Sequence, residues 1–413
     1  MSRILLLLPT STYRVSAFLS AAQRLGAEVQ VVIASEQPNT LQKRRPDNLL
    51  TLDFLHPEEA ARAAREFART RPISAVVGVD DDTAVVAAYI AEALSLPHNS
   101  VASALAARNK YLMRQMLHGG GVQIPSFALF PVDGDLKAIA RQVSYPCVVK
   151  PLFLSASRGV IRANDESEFI GAARRLGAIL GQPEIAARGG ELAKQFLVES
   201  FIPGQEVALE GLLIKGELHV LALFDKPDRM DGPFFEETIY ITPSRLPTEI
   251  QAQIAQCADQ SAAALGLREG PIHAELRIND QGPWMIEIAA RSIGGLCSRA
   301  LRFGTGARLE EIILRHALGM KIESLDRERQ PAGVMMIPIP GAGVLREIRG
   351  LDEARSVPGI EDVTITAHVT QKLVPLPEGA SYLGFIFARG ADTETVEASL
   401  RLAAQRLQFV LEA

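Results

Sequence analysis

Residues 1–95 switch between two hydrophobic periods. Short apolar runs at 4–8, 29–34 and 75–79 alternate with stretches at 16–25, 57–69 and 81–94 whose apolar positions recur every three or four residues. Unbroken apolar runs suit strands covered on both faces, and the intervening pattern suits the helices that cover them. The region therefore predicts a parallel βαβ sheet. Asp80, Asp81 and Asp82 follow the third run; they either cap the next helix or border a ligand at the strand ends. The first run passes into Pro9-Thr10-Ser11-Thr12 without a glycine, so the G-x-G-x-x-G dinucleotide fingerprint is absent.

The pattern then changes. Two helices occupy 100–122, the second opening at Asn109 and closing at Gly119-Gly120-Gly121, which reads as a C-terminal cap. Strands are expected at 126–130, 147–150 and 160–163, with a helix at 166–180. Longer strands at 206–214 and 217–224 suggest an antiparallel sheet. A charged stretch at 323–330 reads as a linker, and 331–413 as an α+β unit of short strands, Pro/Gly turns and a final helix at 393–409. The domain layout is thus 1–95, a middle region 96–322 with a smaller subdomain at about 123–204, and 323–413. The apolar strands 334–339 and 382–387 leave a homodimer open.

Segments 272–278 and 284–288 read as two further strands, joined through Asn279-Asp280-Gln281-Gly282. If the hairpin centres on Gln281, Glu275 and Glu287 face each other. Like charges standing ~5 Å apart on one sheet face repel, so something positive should lie between them, and a magnesium ion is the first candidate, with manganese also admissible. A turn one residue shorter would send Glu287 to the opposite face, and two solvated strand residues would be the result. His273 is in phase with Glu275 and is either a catalytic base or a histidine hydrogen-bonded beside the metal.

Bulk composition narrows the function classes. The chain has 413 residues, 47% of them hydrophobic and 22% charged, with a net charge of −5, enough for two or three globular domains. No long block of like charge appears, and Lys43-Arg44-Arg45 is too short a basic run to suggest a nucleic-acid or membrane surface. Cys147, Cys257 and Cys297 lack metal-ligand spacing and are odd in number, which suits a reducing compartment. No run approaches the roughly 20 apolar residues of a membrane span, so a cytoplasmic protein is expected.

Lys150 ends a buried-looking strand, and the loop after it, 152–160, carries Ser155, Ser157, Arg158 and Gly159. These are donors suited to a phosphate cover, although a plain surface hairpin would also explain them. Lys110 lies on the helix opening at Asn109. Residues 196–206 form strand, Pro203-Gly204 turn and strand, where backbone groups can meet an adenine edge and Glu206 can accept ribose hydroxyls. The polar loop 225–238 carries Arg229 and Glu237. Either one reads the ammonium or carboxylate of a substrate, or the loop is a salt-bridged surface feature.

In this order, Lys110, Lys150 with its loop, Glu199 to Glu206, then Glu275 and Glu287 with Arg291, Gly294 and Gly295, the chain resembles the ATP-grasp superfamily over about 1–320, most nearly its L-amino-acid ligases. The resemblance implies an N-terminal α/β domain, an ATP-grasp fold and an α+β C-terminal subdomain. It implies that Lys110, Lys150 and the Ser155, Ser157, Arg158 and Gly159 loop contact ATP phosphates, Glu199 with Phe201 and Ile202 the adenine, and Glu206 the ribose. Glu275 and Glu287 would hold Mg2+, and Arg291, Gly294 and Gly295 the acyl-phosphate transition state. Glu237, Arg229 and His273 would meet small carboxylate and amine substrates, amino acids among them. The implied activity is an ATP-dependent carboxylate-amine ligase; a carboxylase activating bicarbonate and a nucleotide-binding regulator are the alternatives. Two departures stand out. Ala289 occupies the position where many of these enzymes have a metal-binding asparagine, and the phosphate loop is poor in glycine.

Overall fold

The computed structural model describes residues 2–9, 12–26, 28–36, 48–304 and 306–412; the basic run at 43–45 and Thr10 and Ser11 lie outside them. The N-terminal sheet holds β1 (Ser2–Leu7), β2 (Val29–Ser35), β3 (Leu49–Thr51) and β4 (Ala75–Gly78), all parallel and ordered β3-β2-β1-β4. The run at 4–8 reads as it does because β1 is central and apolar on both faces: Ile4 and Leu6 pack toward one layer, Leu5 and Leu7 toward the other. Helices Val15–Arg24, Pro57–Thr70 and Asp81–Ala93 cover it, each within two residues of its predicted span.

After the helices Val101–Arg108 and Lys110–Gly119, a second four-stranded sheet contains β5 (Phe127–Pro131), β6 (Cys147–Pro151), β7 (Ile161–Ala163) and β8 (Gln195–Ser200), ordered β5-β8-β6-β7. The helix Glu166–Leu180, with Asp165 capping Glu168 N, lies against it. The largest sheet carries β9 (Gln205–Ile214), β10 (Glu217–Asp225), β11 (Ile239–Thr242), β12 (Gly270–Asn279), β13 (Gly282–Ala289) and β14 (Ala332–Ile337). Past β15 (Gly343–Arg349), β16 (Ile360–Ile365) joins it; past β17 (Lys372–Leu373), so does β18 (Gly384–Arg389). Among the described residues the order is β13-β12-β9-β10-β11-β14-β18-β16. The last strand, β19 (Gln408–Glu412), pairs with β15 in a small separate sheet.

In the C-terminal third the structure shows how the expected strands are paired and moves one boundary. Of the strands of the α+β unit, β14, β16 and β18 continue the central sheet. The apolar strands that left a homodimer open have both edges paired within that sheet: β14 pairs with β11 and β18, and β18 with β14 and β16. The final helix ends at Arg406, and the Phe409 it was expected to reach belongs to β19, opposite Ile348. Aromatic and aliphatic residues at 409–411 gain more as a strand paired with β15 and packed on its core than as another helical turn. The helix Thr248–Leu265, which the sequence reading passed over, lies under the sheet through Ile254, Ala258, Ala262 and Leu265. All three cysteines are free and buried. No helix among the described residues is long and apolar enough to cross a membrane.

Candidate active site

β9 and β12 are antiparallel neighbours, and directly opposed residues share a face. Three such pairs run beside a cavity of about 310 Å³, which Glu206, His273, Glu275 and Arg277 line: Glu206 opposite Arg277, Ala208 opposite Glu275, and Glu210 opposite His273. Glu206 accepts from Arg277 Nε at 2.9 Å, and Glu210 bonds His273 Nδ1. Ala208 offers Glu275 no charge across the strand pair. Period-2 alternation therefore sets an acid-base checkerboard whose middle acid, Glu275, has no basic residue directly opposite it.

The hairpin carrying the two glutamates has the shorter turn. Asn279 pairs with Gly282, so only Asp280 and Gln281 form the loop, and Gly282 takes φ +96°. On that register alone Glu287 would point away from Glu275. A bulge restores the pair: between Leu276↔Met285 and Glu275↔Glu287 the residue Ile286 is extra. Glu275 and Glu287 thus face each other through a bulge rather than through a turn centred on Gln281. The Ile286 carbonyl accepts from Arg114 Nη2 at 2.5 Å, and Ile286 lines the cavity.

The protein supplies its own positive charge around these acids. Lys226, just past the end of β10, contacts Glu206 at 2.8 Å, Glu237, and Glu275 at 3.2 Å. Its Nζ lies beneath the acids, and Lys226 is not part of the cavity wall. Burial, which would neutralise the ammonium, is outweighed by Glu206, Glu237 and Glu275, and its pKa stands well above the ordinary lysine value. For Glu275, burial is likewise overcome by Lys226 and His273, which hold its carboxyl low; Glu237 goes the other way, raised by burial and by Glu275. One oxygen from each of Glu206, Glu237 and Glu275 lies within 4.8 Å of the others. Glu287 is held separately by Lys110 Nζ at 3.0 Å, which also donates to the Leu154 carbonyl at 3.1 Å. An all-oxygen donor set suits a hard divalent cation, and Ala289 contributes nothing to it.

At one end the cavity is an apolar slot of Val148, Val160, Phe201, Met230 and Phe235. Arg277 lies over the Phe201 ring at 5.1 Å, and Arg277 Nη1 donates to the Ile202 carbonyl. Beneath the slot, Glu199 accepts from Arg114 at 2.7 Å and from Lys150 at 2.7 Å. Burial would raise the Glu199 carboxyl, but the two cations win and bring it down to about 2. Burial also lowers the Lys150 ammonium, with Glu199 opposing. Both Glu199 oxygens accept from cations, so Glu199 orients Lys150. In the following loop Ala156 and Ser157 have φ of +55° and +54°, a conformation uncommon outside glycine and of the kind that gathers at ligand loops.

At the other end, Arg291 donates from Nε to Asp81 at 2.9 Å. Asp81 raises the Arg291 pKa against burial, and Arg291 lowers that of Asp81. The three aspartates after β4 divide the work: Asp80 caps Thr83, Asp81 holds Arg291, and Asp82 pairs with Arg108 and Arg188. Glu210 also accepts from the Ile293 amide at 3.1 Å, tying β9 to the Gly294-Gly295 loop. Burial would lower the His273 pKa, but Glu210 and then Glu275 carry it up to about 9.

Of the residues named from sequence, Lys110, Lys150, Ser155, Ser157, Glu199, Phe201, Ile202, Glu206, Glu237, His273, Glu275, Glu287, Arg291, Gly294 and Gly295 line this cavity. Three do not. Arg158 turns to Gln182 at 2.9 Å, Gly159 donates its amide to the Pro377 carbonyl, and Arg229 is exposed on the loop. The loop 225–238 sends inward its acid, Glu237, which also accepts from Tyr240 Oη. Arg14, Glu210, Lys226 and Arg277 were overlooked. Lys226-Pro227 repeats the strand-then-Lys-Pro sequence of Lys150-Pro151, and Glu210 and Arg277 are in phase with Glu206 and Glu275; those signals were available.

Residues 143–300 match the ATP-grasp domain family, residues 19–98 the ATP-grasp N-terminal domain, and residues 335–412 the L-amino acid ligase C-terminal domain 2. The chain belongs to the ATP-grasp superfamily. Superposed on the crystal structure of an L-amino acid ligase from Bacillus licheniformis, this ATP-grasp protein gives a TM-score of 0.83 at 28% identity, over 100% of this chain and 99% of the other. The alanine–anticapsin ligase of Bacillus subtilis strain 168 is 27% identical over 49% of this chain and 45% of its own length. Human carnosine synthase 1 is 28% identical over 68% of this chain and 35% of its own. Across eight curated relatives the ATP-grasp chain spans between 30% and 64% of their length.

Proposed function

We propose that this protein is an ATP-dependent carboxylate-amine ligase that joins two amino acids through an acyl phosphate. One observation carries the reading: Lys110, Lys150 and Arg291 surround a single cavity in which Glu275 and Glu287 face each other on adjacent strands. The L-amino acid ligase and amide-forming ligases among its relatives support it.

The residues divide into roles. The slot of Val148, Phe201, Met230 and Phe235 takes the adenine, with the Phe201-Ile202 backbone along its edge and Glu206 at the ribose. Lys110, Lys150 and the Ser155-Ser157 loop hold the phosphates. Glu275 and Glu287 would hold Mg2+ or Mn2+, which when bound neutralises phosphate charge. A substrate carboxylate oxygen attacks the γ-phosphorus, the bond to the ADP oxygen breaks, and Arg291 with the Gly294-Gly295 loop stabilises the charge on the acyl phosphate. The amine of the second amino acid then attacks the acyl carbon, loses a proton, and phosphate leaves. Glu237 faces the ammonium of the first substrate, while Glu210 keeps His273 oriented beside Glu275.

Incubation with ATP, Mg2+ and pooled amino acids tests the reading, with phosphate release and mass spectrometry as readouts. ADP, phosphate and a new amide in equal amounts are expected. ADP release without any amide would refute it, and ADP formation that requires bicarbonate instead would turn the site to carboxylation.

A further inference from the structure

Six basic side chains stand in the cavity wall, and five have a carboxylate partner. Lys110 pairs with Glu287, Lys150 with Glu199, His273 with Glu210, Arg277 with Glu206 and Arg291 with Asp81. Arg14 is the sixth. It is only 4% exposed, and no carboxylate among the described residues lies within ion-pair reach of it. Its Nη1 donates to the carbonyls of Val79 and Ser292 and its Nη2 to Ser292 Oγ, all neutral acceptors, and its Nε–H has no acceptor among the described residues. The acids that act on it from farther away are engaged elsewhere: Glu310 with Ser298, Glu210 with His273 and Ile293, Asp80 with Thr83. Hydrogen bonds to carbonyls solvate a guanidinium without cancelling its charge, and a buried charge without a counter-charge is costly.

We infer that Arg14 supplies the binding site for the carboxylate of the amine-donating amino acid. The inference rests on the ligase reading. In that reaction the second amino acid enters with its nucleophilic nitrogen one carbon away from a carboxylate that stays negative from start to finish. Lys110 and Lys150 serve the phosphates and Arg291 the acyl phosphate, so none of them is free for it. Arg14 is bound to Ser292, the neighbour of Arg291 in sequence, and so stands beside the reacting centre while its charge is uncommitted. It enters the cavity from the loop after β1, a part of the chain remote from every other cation in the wall. The incoming carboxylate thereby completes the pairing that the folded chain leaves open, and a neutral group there would leave Arg14 buried and unpaired.

Each amino acid accepted as amine donor is compared with its own carboxamide, in wild type, R14Q and R14K. Wild type should favour the amino acid by roughly 100-fold in kcat/KM. R14Q should bring that ratio close to one, chiefly by raising KM for the amino acid, and R14K should recover part of it. Equal losses on both amines, or an unchanged ratio, would overturn the assignment; so would a rise in KM for ATP with the ratio preserved. If R14Q does not fold, R14K decides, since a point charge without the fork should give an intermediate ratio and a merely structural arginine would not move it. ADP without amide from any amine in wild type would fail the ligase reading itself, an outcome distinct from an amide-forming enzyme whose ratio ignores residue 14.

Discussion

The two ends of the cavity are built differently. At the end proposed to hold the nucleotide, Lys110, Arg114, Lys150, Glu199 and Glu206 come from one stretch of about a hundred residues, and the Arg114-Glu199-Lys150 cluster is closed on itself. At the substrate end, Arg14, Asp81, Glu237, Arg291, Gly295 and Tyr382 come from five distant segments and meet only when the N-terminal sheet, the central sheet and the C-terminal strands pack together. A buried ionic cluster is costly to break by removing one member. An end assembled from separable parts is where substrate range can change without disturbing ATP.

The sharpest way to break this contrast is Glu199→Ala. It strands Arg114 and Lys150 as buried unpaired cations, and a loss of about 3–5 kcal/mol is expected, read by urea denaturation. A loss below about 1 kcal/mol would mean that the nucleotide end is as loosely built as the other. Arg291→Ala comes next. It should lower kcat about 10²- to 10³-fold while ATP binding, followed by nucleotide titration, changes little; equal damage to both would merge the two ends functionally.

The pH dependence of stability isolates the link between them. In the folded chain His273 has a pKa of about 9, above the 6.5 it starts from, so its stabilising contribution is complete below pH 6.5 and is lost as pH rises through 9. Metal-free wild type should therefore lose on the order of 2 kcal/mol across that window, and His273→Gln should flatten this part of the curve. Denaturation at several pH values checks it, and parallel curves would remove His273 from the account. The smallest effect belongs to Arg175→Ala. It breaks an ion pair with Glu378 that joins the smaller subdomain to the C-terminal region. Being partly exposed, that pair should matter by less than about 1 kcal/mol in thermal unfolding, and a larger loss would show that the C-terminal region holds the nucleotide end closed.

Local order made much of this legible. The βαβ rhythm, the helix opening at Asn109 and the helix Glu166–Leu180 follow from periodicity and capping, forces that act over a few residues. Lys150 and Glu206 could be picked out for the same reason, as charges at the ends of apolar strands. Arg158 and Arg229 looked equivalent to them in sequence, yet one turns to Gln182 and the other to solvent, because a loop side chain's direction is set by what packs against the loop.

What the sequence determined by itself was the set of elements and the order in which charged residues appear along them, since hydrophobic period and turn chemistry are local properties. Tertiary structure alone decided that an extra residue at Ile286 turns Glu287 toward Glu275, that Lys226 lies under three acids, and that Arg14 is a buried cavity-wall cation with no carboxylate partner among the described residues. Register, burial and charge compensation depend on which strands become neighbours, and no stretch of chain contains its neighbours' coordinates.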